Sequence, residues 1–531
     1  MTDYKSKLFT QSAINAVFLS GILGFLIRPF VLFGYNVPDM GFLAWVHLVP
    51  LILGIHRYKF SHKIILCFLS YMVSYYGNLY WLMTAMQVYG GMNFFQGFAA
   101  MTLLFAVLSL FYAIFLSFAC WINHLIKVPF FILLPVFMTT IEYVLNCWPC
   151  GGFPWTMVAY TQREWLQFFQ WVDHTGVFGL CFLIYLVNGL FADGLLLFLY
   201  RRQVDKMVSR FLLVFVIAVL SLFLSFLSSR NYDKNKTSKG TLNVAMIQGN
   251  ISQDVKWDPY HAEDNLGIYL KLTNTAVKDG ADVALWPETA YPYGLRENKM
   301  ATDKFLDKQH LSSAIIFGAV ISGVEGNRRT VHNSVVLADT EANMKQFYSK
   351  MHLVPFGEYL PFKEYLSFLP NLTSRIGEFE SGKDYTLFDV AVFKLAPLIC
   401  FEDIFPKYAR ENSLLQADIL VNFTNDAWYG DTSAQYQHLV FSQFRALENR
   451  RYLVRTTNTG ITAVINPSGI IVDQLEPFRE TYLMYNLKVD QLQSYYTIHG
   501  DRWVYLVIAV CVLILIYTVT KRQFGPMKVE F

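Results

Sequence analysis

The chain has 531 residues, of which 54% are hydrophobic and 17% aromatic while only 16% are charged, a balance too apolar for an ordinary soluble enzyme. Its net charge of +3, with no basic face, argues against a nucleic-acid partner. The 11 histidines show no metal-ligand spacing such as HExxH and the glycines no phosphate-loop pattern, so neither a metal nor a cofactor is expected.

A membrane-spanning helix needs about 20 mostly apolar residues. Such stretches lie near 11–29, 39–57, 63–85, 95–123, 128–147, 175–200, 209–228 and 502–520. With the amino terminus inside, Lys5, Lys7, Arg57, Lys59, Lys63, Lys127, Arg201, Arg202, Lys206, Arg210, Lys521, Arg522 and Lys528 all fall on the cytoplasmic side, as the positive-inside rule requires. The long polar stretch is then extracytoplasmic, and the hydrophilic "SSRNYDKNKTSKG" (228–240) marks its start. The expected division is a membrane domain of seven spans over 1–228, an extracytoplasmic domain over 229–495, and a last helix with a cytoplasmic tail over 496–531. Within the spans, Glu142 is a candidate functional carboxylate, although its place near a helix end also allows snorkelling. Cys147 and Cys150 in "CWPC" read as a disulfide or as two free thiols rather than a redox pair, because no βαβ pattern surrounds them.

Short apolar, β-rich runs follow at 241–250, 281–288, 312–322, 332–339, 393–400, 417–426, 452–458 and 461–467. Helical patterns separate several of them, at 261–280, where Leu266, Tyr269, Leu270, Leu272 and Ala276 can share a face, and at 433–451. Alternation of this kind predicts a layered α/β domain whose sheet is buried on both faces.

Reactive side chains stand at or near three strand ends: Glu288 after "ALWP", Lys350 in "FYSKMHLVPFGEYLP" and Cys400 closing "KLAPLIC". A carboxylate, an ammonium and a thiol supply the base, the oxyanion partner and the nucleophile of covalent acyl transfer. Each has an ordinary alternative, since a lone cysteine on an apolar strand serves as a small hydrophobe and an exposed Glu or Lys is solvated.

The strings "WPETA", "KMHLVPFGEYLP" and "LICFED", in that order, resemble the Glu-Lys-Cys signature of the nitrilase superfamily over 241–490. Flanked by membrane spans, and with "GGFPW" (151–155), "IQGNISQDVKWD" (247–258) and "TAVINPSG" (462–469), the chain resembles the membrane-embedded apolipoprotein N-acyltransferase family. The resemblance implies a polytopic α-helical membrane domain of about eight transmembrane helices joined to a nitrilase-like αββα sandwich. It carries over Glu288 as general base, Lys350 as oxyanion stabiliser and Cys400 as nucleophile, with Glu358, Glu402, Trp257 and Asn333 in support. Phe401 departs from a frequent tyrosine, though its backbone N–H can still serve an oxyanion. The implied reaction moves an acyl chain from a phospholipid, mainly phosphatidylethanolamine, through a Cys400 thioester. The acceptor is the α-amino group of a diacylglyceryl-cysteine at the start of an apolipoprotein.

The expected setting is the bacterial inner membrane, with the catalytic domain on the periplasmic side of a monomer. The alternative is a membrane-tethered amidase or nitrilase that passes the acyl group to water. The apolar segment 360–379 is expected either to cover the site as a mobile lid at the lipid surface or to pack as an ordinary loop.

Overall fold

The computed structural model describes residues 10–32, 35–38, 40–297, 313–326, 328–361, 364 and 378–524. Most of the expected lid, 362–363 and 365–377, lies outside the described residues. The chain divides into two compact units, one of Met1–Tyr80, Phe95–Phe226 and His499–Phe531, the other of Trp81–Phe94 and Leu227–Ile498.

The first unit is helical. Among the described residues, five helices are long and apolar enough to cross a membrane: Phe94–Ile126, Phe130–Cys147, Val172–Arg201, Val204–Asn235 and Arg502–Arg522. Gln11–Leu26 and Gly41–Ile55 are apolar but shorter. The helix Phe60–Asn78 stops before residue 85, where the apolar stretch ends in the sequence, because Trp81–Tyr89 breaks into short turns. Val204–Asn235 exposes Leu212, Phe215, Val216, Leu220 and Phe223, a surface that lipid suits and water does not.

Two buried carboxylates inside this unit are partnered. Asp193 accepts hydrogen bonds from the backbone N–H of Phe130 and Phe131, both at 3.0 Å, satisfying donors that a helix start leaves open. Glu142 is 1% exposed and accepts from Tyr112 Oη at 2.7 Å, Tyr185 Oη at 2.6 Å and Val158 N at 3.3 Å. It is an interior carboxylate rather than a snorkelling one. Cys147 and Cys150 are not joined in a disulfide.

The second unit is built on two sheets. The seven-stranded sheet runs Thr481–Gln491, Thr237–Gln248, Val283–Leu285, Ala314–Glu325, Arg328–Ala338, Met344–Ser349, with Leu295–Arg296 beside Ala314–Glu325. The six-stranded sheet runs Ile471–Gln474, Ala463–Ile465, Tyr452–Thr457, Ile419–Thr424, Phe393–Ile399, Phe388–Val390. Parallel pairing at the centre of both, as in Val244 against Val283 and Pro397 against Val421, requires crossover connections. The helices Ala262–Lys278 and Pro406–Leu414 supply two of them.

Period-two alternation assigns the faces. Val244 and Met246 join Val283, Leu285, Ile399, Val421 and Phe423 in the core between the sheets. Ala245 and Ile247 turn the other way, onto Leu266, Tyr269 and Ala276 of the helix. Leu270 and Leu272 of the expected apolar face are only partly buried, at the margin of that cluster. Helix Ser433–Asn449 lies with the six-stranded sheet and is buried along nearly its whole length. The result is the αββα sandwich, with sheet faces buried on both sides.

Candidate active site

Cys400 follows the strand Phe393–Ile399 directly and opens a short 3-10 turn, Cys400–Ile404. Its φ of 49° is left-handed, a conformation that costs a non-glycine residue of order 1 kcal/mol or more. The turn swings the thiol off the strand axis at the sheet end. Asn422, on the neighbouring parallel strand, donates Nδ2 to the Cys400 carbonyl at 3.1 Å and holds that turn.

Glu288 follows Val283–Leu285 by a few residues, and Thr289 after it is also left-handed, with φ 48°. The turn is clamped by the adjacent strand. Gly318 N–H donates to the Pro287 carbonyl and Tyr291 N–H to the Gly318 carbonyl. A Cβ on Gly318 would come within 2.3 Å of Thr289 N and 2.5 Å of Pro287 O, so only glycine permits the approach.

Lys350 leaves the strand Met344–Ser349 with its backbone tied at both ends: its N–H donates to the Asn333 carbonyl at 2.8 Å, and Gly382 N–H donates to its carbonyl at 2.7 Å. The next two N–H groups, of Met351 and His352, donate to Glu402 Oε1 at 2.7 and 3.2 Å. The other oxygen of Glu402 accepts from Ile399 N–H at 2.7 Å, one residue before the thiol. Glu402 therefore joins the lysine segment to the cysteine segment. Burial, partly offset by these hydrogen bonds, pushes its carboxyl up to about 7.

Three of the expected residues come together around the lysine. Lys350 Nζ lies 2.9 Å from Glu358 and 3.6 Å from Glu288 Oε1. Asn333 Nδ2 donates to Glu288 Oε1 at 2.7 Å and to Glu358 Oε1 at 2.8 Å. One amide thus spaces two carboxylates, with an ammonium on the same pair. Burial alone would drive the Lys350 ammonium toward neutrality, but Glu358 and Glu288 outweigh it and hold the group charged well above the ordinary lysine value. Burial, with the Glu288 charge adding to it against Lys350, pushes the Cys400 thiol up. The resting sulfur is a neutral thiol and needs a base to react. Phe401 is buried and packs its ring near His352 and Phe405 at 5.8 and 5.3 Å. Trp257 stays outside this buried group, 49% exposed.

Sequence reasoning missed what lies under Cys400. His438 bridges Asp426 at 2.8 Å and Asp403 at 3.0 Å. Arg455 reaches Asp426 at 2.8 Å and Asn422 Oδ1 at 2.8 Å, and Asn422 is the residue that holds the Cys400 carbonyl. Ser442, one helical turn from His438, donates to Asp403 at 2.5 Å. That i, i+4 pair was the available signal. It also missed Lys256, beside Trp257, which is 5% exposed and donates Nζ to the Glu288 carbonyl at 2.9 Å.

A family model described as carbon-nitrogen hydrolase matches residues 243–497, and one described as apolipoprotein N-acyltransferase N-terminal domain matches 20–190. The apolipoprotein N-acyltransferase of Geobacter metallireducens is 31% identical over 92% of this chain and 92% of its own length. The chain belongs to the apolipoprotein N-acyltransferase family. That of Haemophilus influenzae is 29% identical, over 94% of this chain and 93% of its own. Among solved structures, an amidase from Nesterenkonia sp. matches 51% of this chain and 98% of its own at 17% identity and TM-score 0.35. Nit3 of Saccharomyces cerevisiae matches 55% and 97%, at 16% identity and TM-score 0.36. Family membership explains why both an apolar helical unit and a two-sheet catalytic unit occur in one chain.

Proposed function

We propose that this chain is an apolipoprotein N-acyltransferase working through a Cys400 thioester, with Glu288 as base and Lys350 as oxyanion partner. The observation that carries the reading is the buried Glu288–Asn333–Glu358–Lys350 group in a chain of this family, whose charges act on a neutral thiol at a strand end. Glu288 takes the Cys400 proton as sulfur attacks the ester carbonyl of a phospholipid, phosphatidylethanolamine foremost. The Lys350 ammonium faces the negative charge that develops on oxygen. Collapse breaks the acyl C–O bond, and Glu288 returns the proton to the departing lysophospholipid. The α-amino group of a diacylglyceryl-cysteine then attacks the thioester carbonyl, Glu288 takes a proton from the amine, the C–S bond breaks, that proton passes to the departing Cys400 sulfur, and the third acyl chain becomes an amide. Glu358 and Asn333 keep the lysine and the base apart and in register; Glu402 and Phe401 shape the nucleophile turn; Trp257, being exposed, is assigned to the mouth of the site.

Both substrates are held in lipid by acyl chains, each buried CH₂ being worth about 0.8 kcal/mol, so a membrane-borne catalyst avoids extracting them. The apolar helices support a place in the bacterial inner membrane, and the distribution of lysine and arginine supports a periplasmic face for the second unit. The domain limits 1–228, 229–495 and 496–531 go with this orientation, as does a monomer.

The test is the intact mass of the purified protein with and without phosphatidylethanolamine. An added acyl mass, removed by hydroxylamine and absent from Cys400→Ala, is the expected result. Folded wild type that gains no acyl mass from several phospholipids would sink the donor mechanism and favour hydrolysis of small amides.

A further inference from the structure

Lys256 is a buried charge beside Glu288 that the proposed reaction leaves without a task. It ends the short helix Gln253–Lys256, and that helix is fixed from several sides. Asn425 donates to Gln253 Oε1 at 2.9 Å, Asn265 donates to the Val255 carbonyl at 3.2 Å, and Asn458 both donates to and accepts from the Ile251 backbone. The lysine is presented by a rigid frame. Among the described residues its ammonium has one hydrogen-bond acceptor, the backbone carbonyl of Glu288.

Burying an ammonium is costly, and one hydrogen bond to a neutral carbonyl returns only part of that cost. A methionine of similar length would sit there at lower cost. A locally unfavourable choice beside reactive groups points to function rather than folding. The carbonyl it holds precedes Thr289, whose left-handed φ bends the chain at the base. Charge supports the same placement: Glu288 and Glu358 against Lys350 leave one negative charge in excess, and Lys256 offsets it. Burial lowers this ammonium to about 8, and the neighbouring Glu288 carboxylate opposes that shift.

We propose that Lys256 is a positioning residue for the base: its ammonium pins the Glu288 carbonyl, and with it the left-handed turn that aims the carboxylate at Cys400. Gly318 closes on the turn from the neighbouring strand, and Lys256 holds its carbonyl. This rests on the acyl-transfer reading above.

The experiment is single-turnover acylation of full-length protein in phosphatidylethanolamine micelles, read by intact mass for wild type and Lys256→Met, with thermal unfolding of both. The expected result is a maximal acylation rate about 10- to 100-fold lower in Lys256→Met. The half-saturating lipid fraction should stay unchanged and Tm should equal or exceed that of wild type. A rate within twofold of wild type would overturn the proposal, as would a shift confined to half-saturation. A clear loss of Tm or failure to fold would also overturn it, making the lysine structural. Wild type that takes no acyl group at all would instead refute the donor mechanism.

Discussion

Asn333 illustrates how one neutral side chain organises charge. Its two N–H bonds are spent on Glu288 and Glu358, which keeps like charges apart in a low-dielectric site where their repulsion is large. Asn333→Ala is expected to lower the acylation rate about 10- to 100-fold, and Asn333→Asp further, because a third carboxylate would compete for Lys350. Single-turnover mass measurements check both. His438 carries a different consequence. Burial and Arg455 disfavour its protonation, but Asp403 and Asp426 outweigh them and raise it above the ordinary 6.5. A raised folded value means that its favourable contribution is complete below about 6.5 and is lost as pH rises through the folded value. Wild-type Tm should therefore fall on the alkaline side, and His438→Asn should flatten that slope even if it is less stable throughout.

At the scale of elements, catalytic geometry is set where strands end and turns bend against their neighbours. The Glu288 turn exists because Gly318 lets the strand Ala314–Glu325 touch it. Gly318→Ala should displace Glu288, cost about 1–3 kcal/mol of stability and lower acylation by about 100-fold or more. The discriminating measurement is acylation at a temperature where the variant is still folded by circular dichroism. The Cys400 turn has the same logic, with Asn422 holding the Cys400 carbonyl and Glu402 tying Ile399 to the lysine segment. Neither restraint involves the sulfur, yet both decide where it stands.

At the scale of the molecule, Trp81–Phe94 lies between membrane-helix segments in the chain yet belongs to the catalytic unit. Trp81 is 1% exposed, donates Nε1 to Gln437 at 3.2 Å and packs edge-on against Tyr429 at 4.7 Å. A truncated chain of residues 229–495 would lose this cover, along with the apolar area of a buried tryptophan. It is expected to unfold at lower temperature than the same unit in the full chain and to recover only when the Trp81–Phe94 peptide is restored. Differential scanning calorimetry and hydrogen exchange in helix Ser433–Asn449 would report it.

Apolar runs and their periods determined the class of this protein by themselves: helices for a bilayer, alternating strands for a layered domain, and Glu288, Lys350 and Cys400 near strand ends. Those features are local, so a stretch of a few to about 20 residues contains them. The strands Met344–Ser349, Phe388–Val390, Ile471–Gln474 and Thr481–Gln491 escaped notice because polar or short runs become strands only by pairing. Tertiary structure alone decided that Asn333 spaces two carboxylates, that His438 and Arg455 lie under Cys400, and that Trp81 belongs with Gln437. It also decided that Lys256, a residue type usually solvated, is buried while Trp257 beside it is exposed. Burial and partnership arise between segments far apart in the chain, and no local pattern encodes the distance between them.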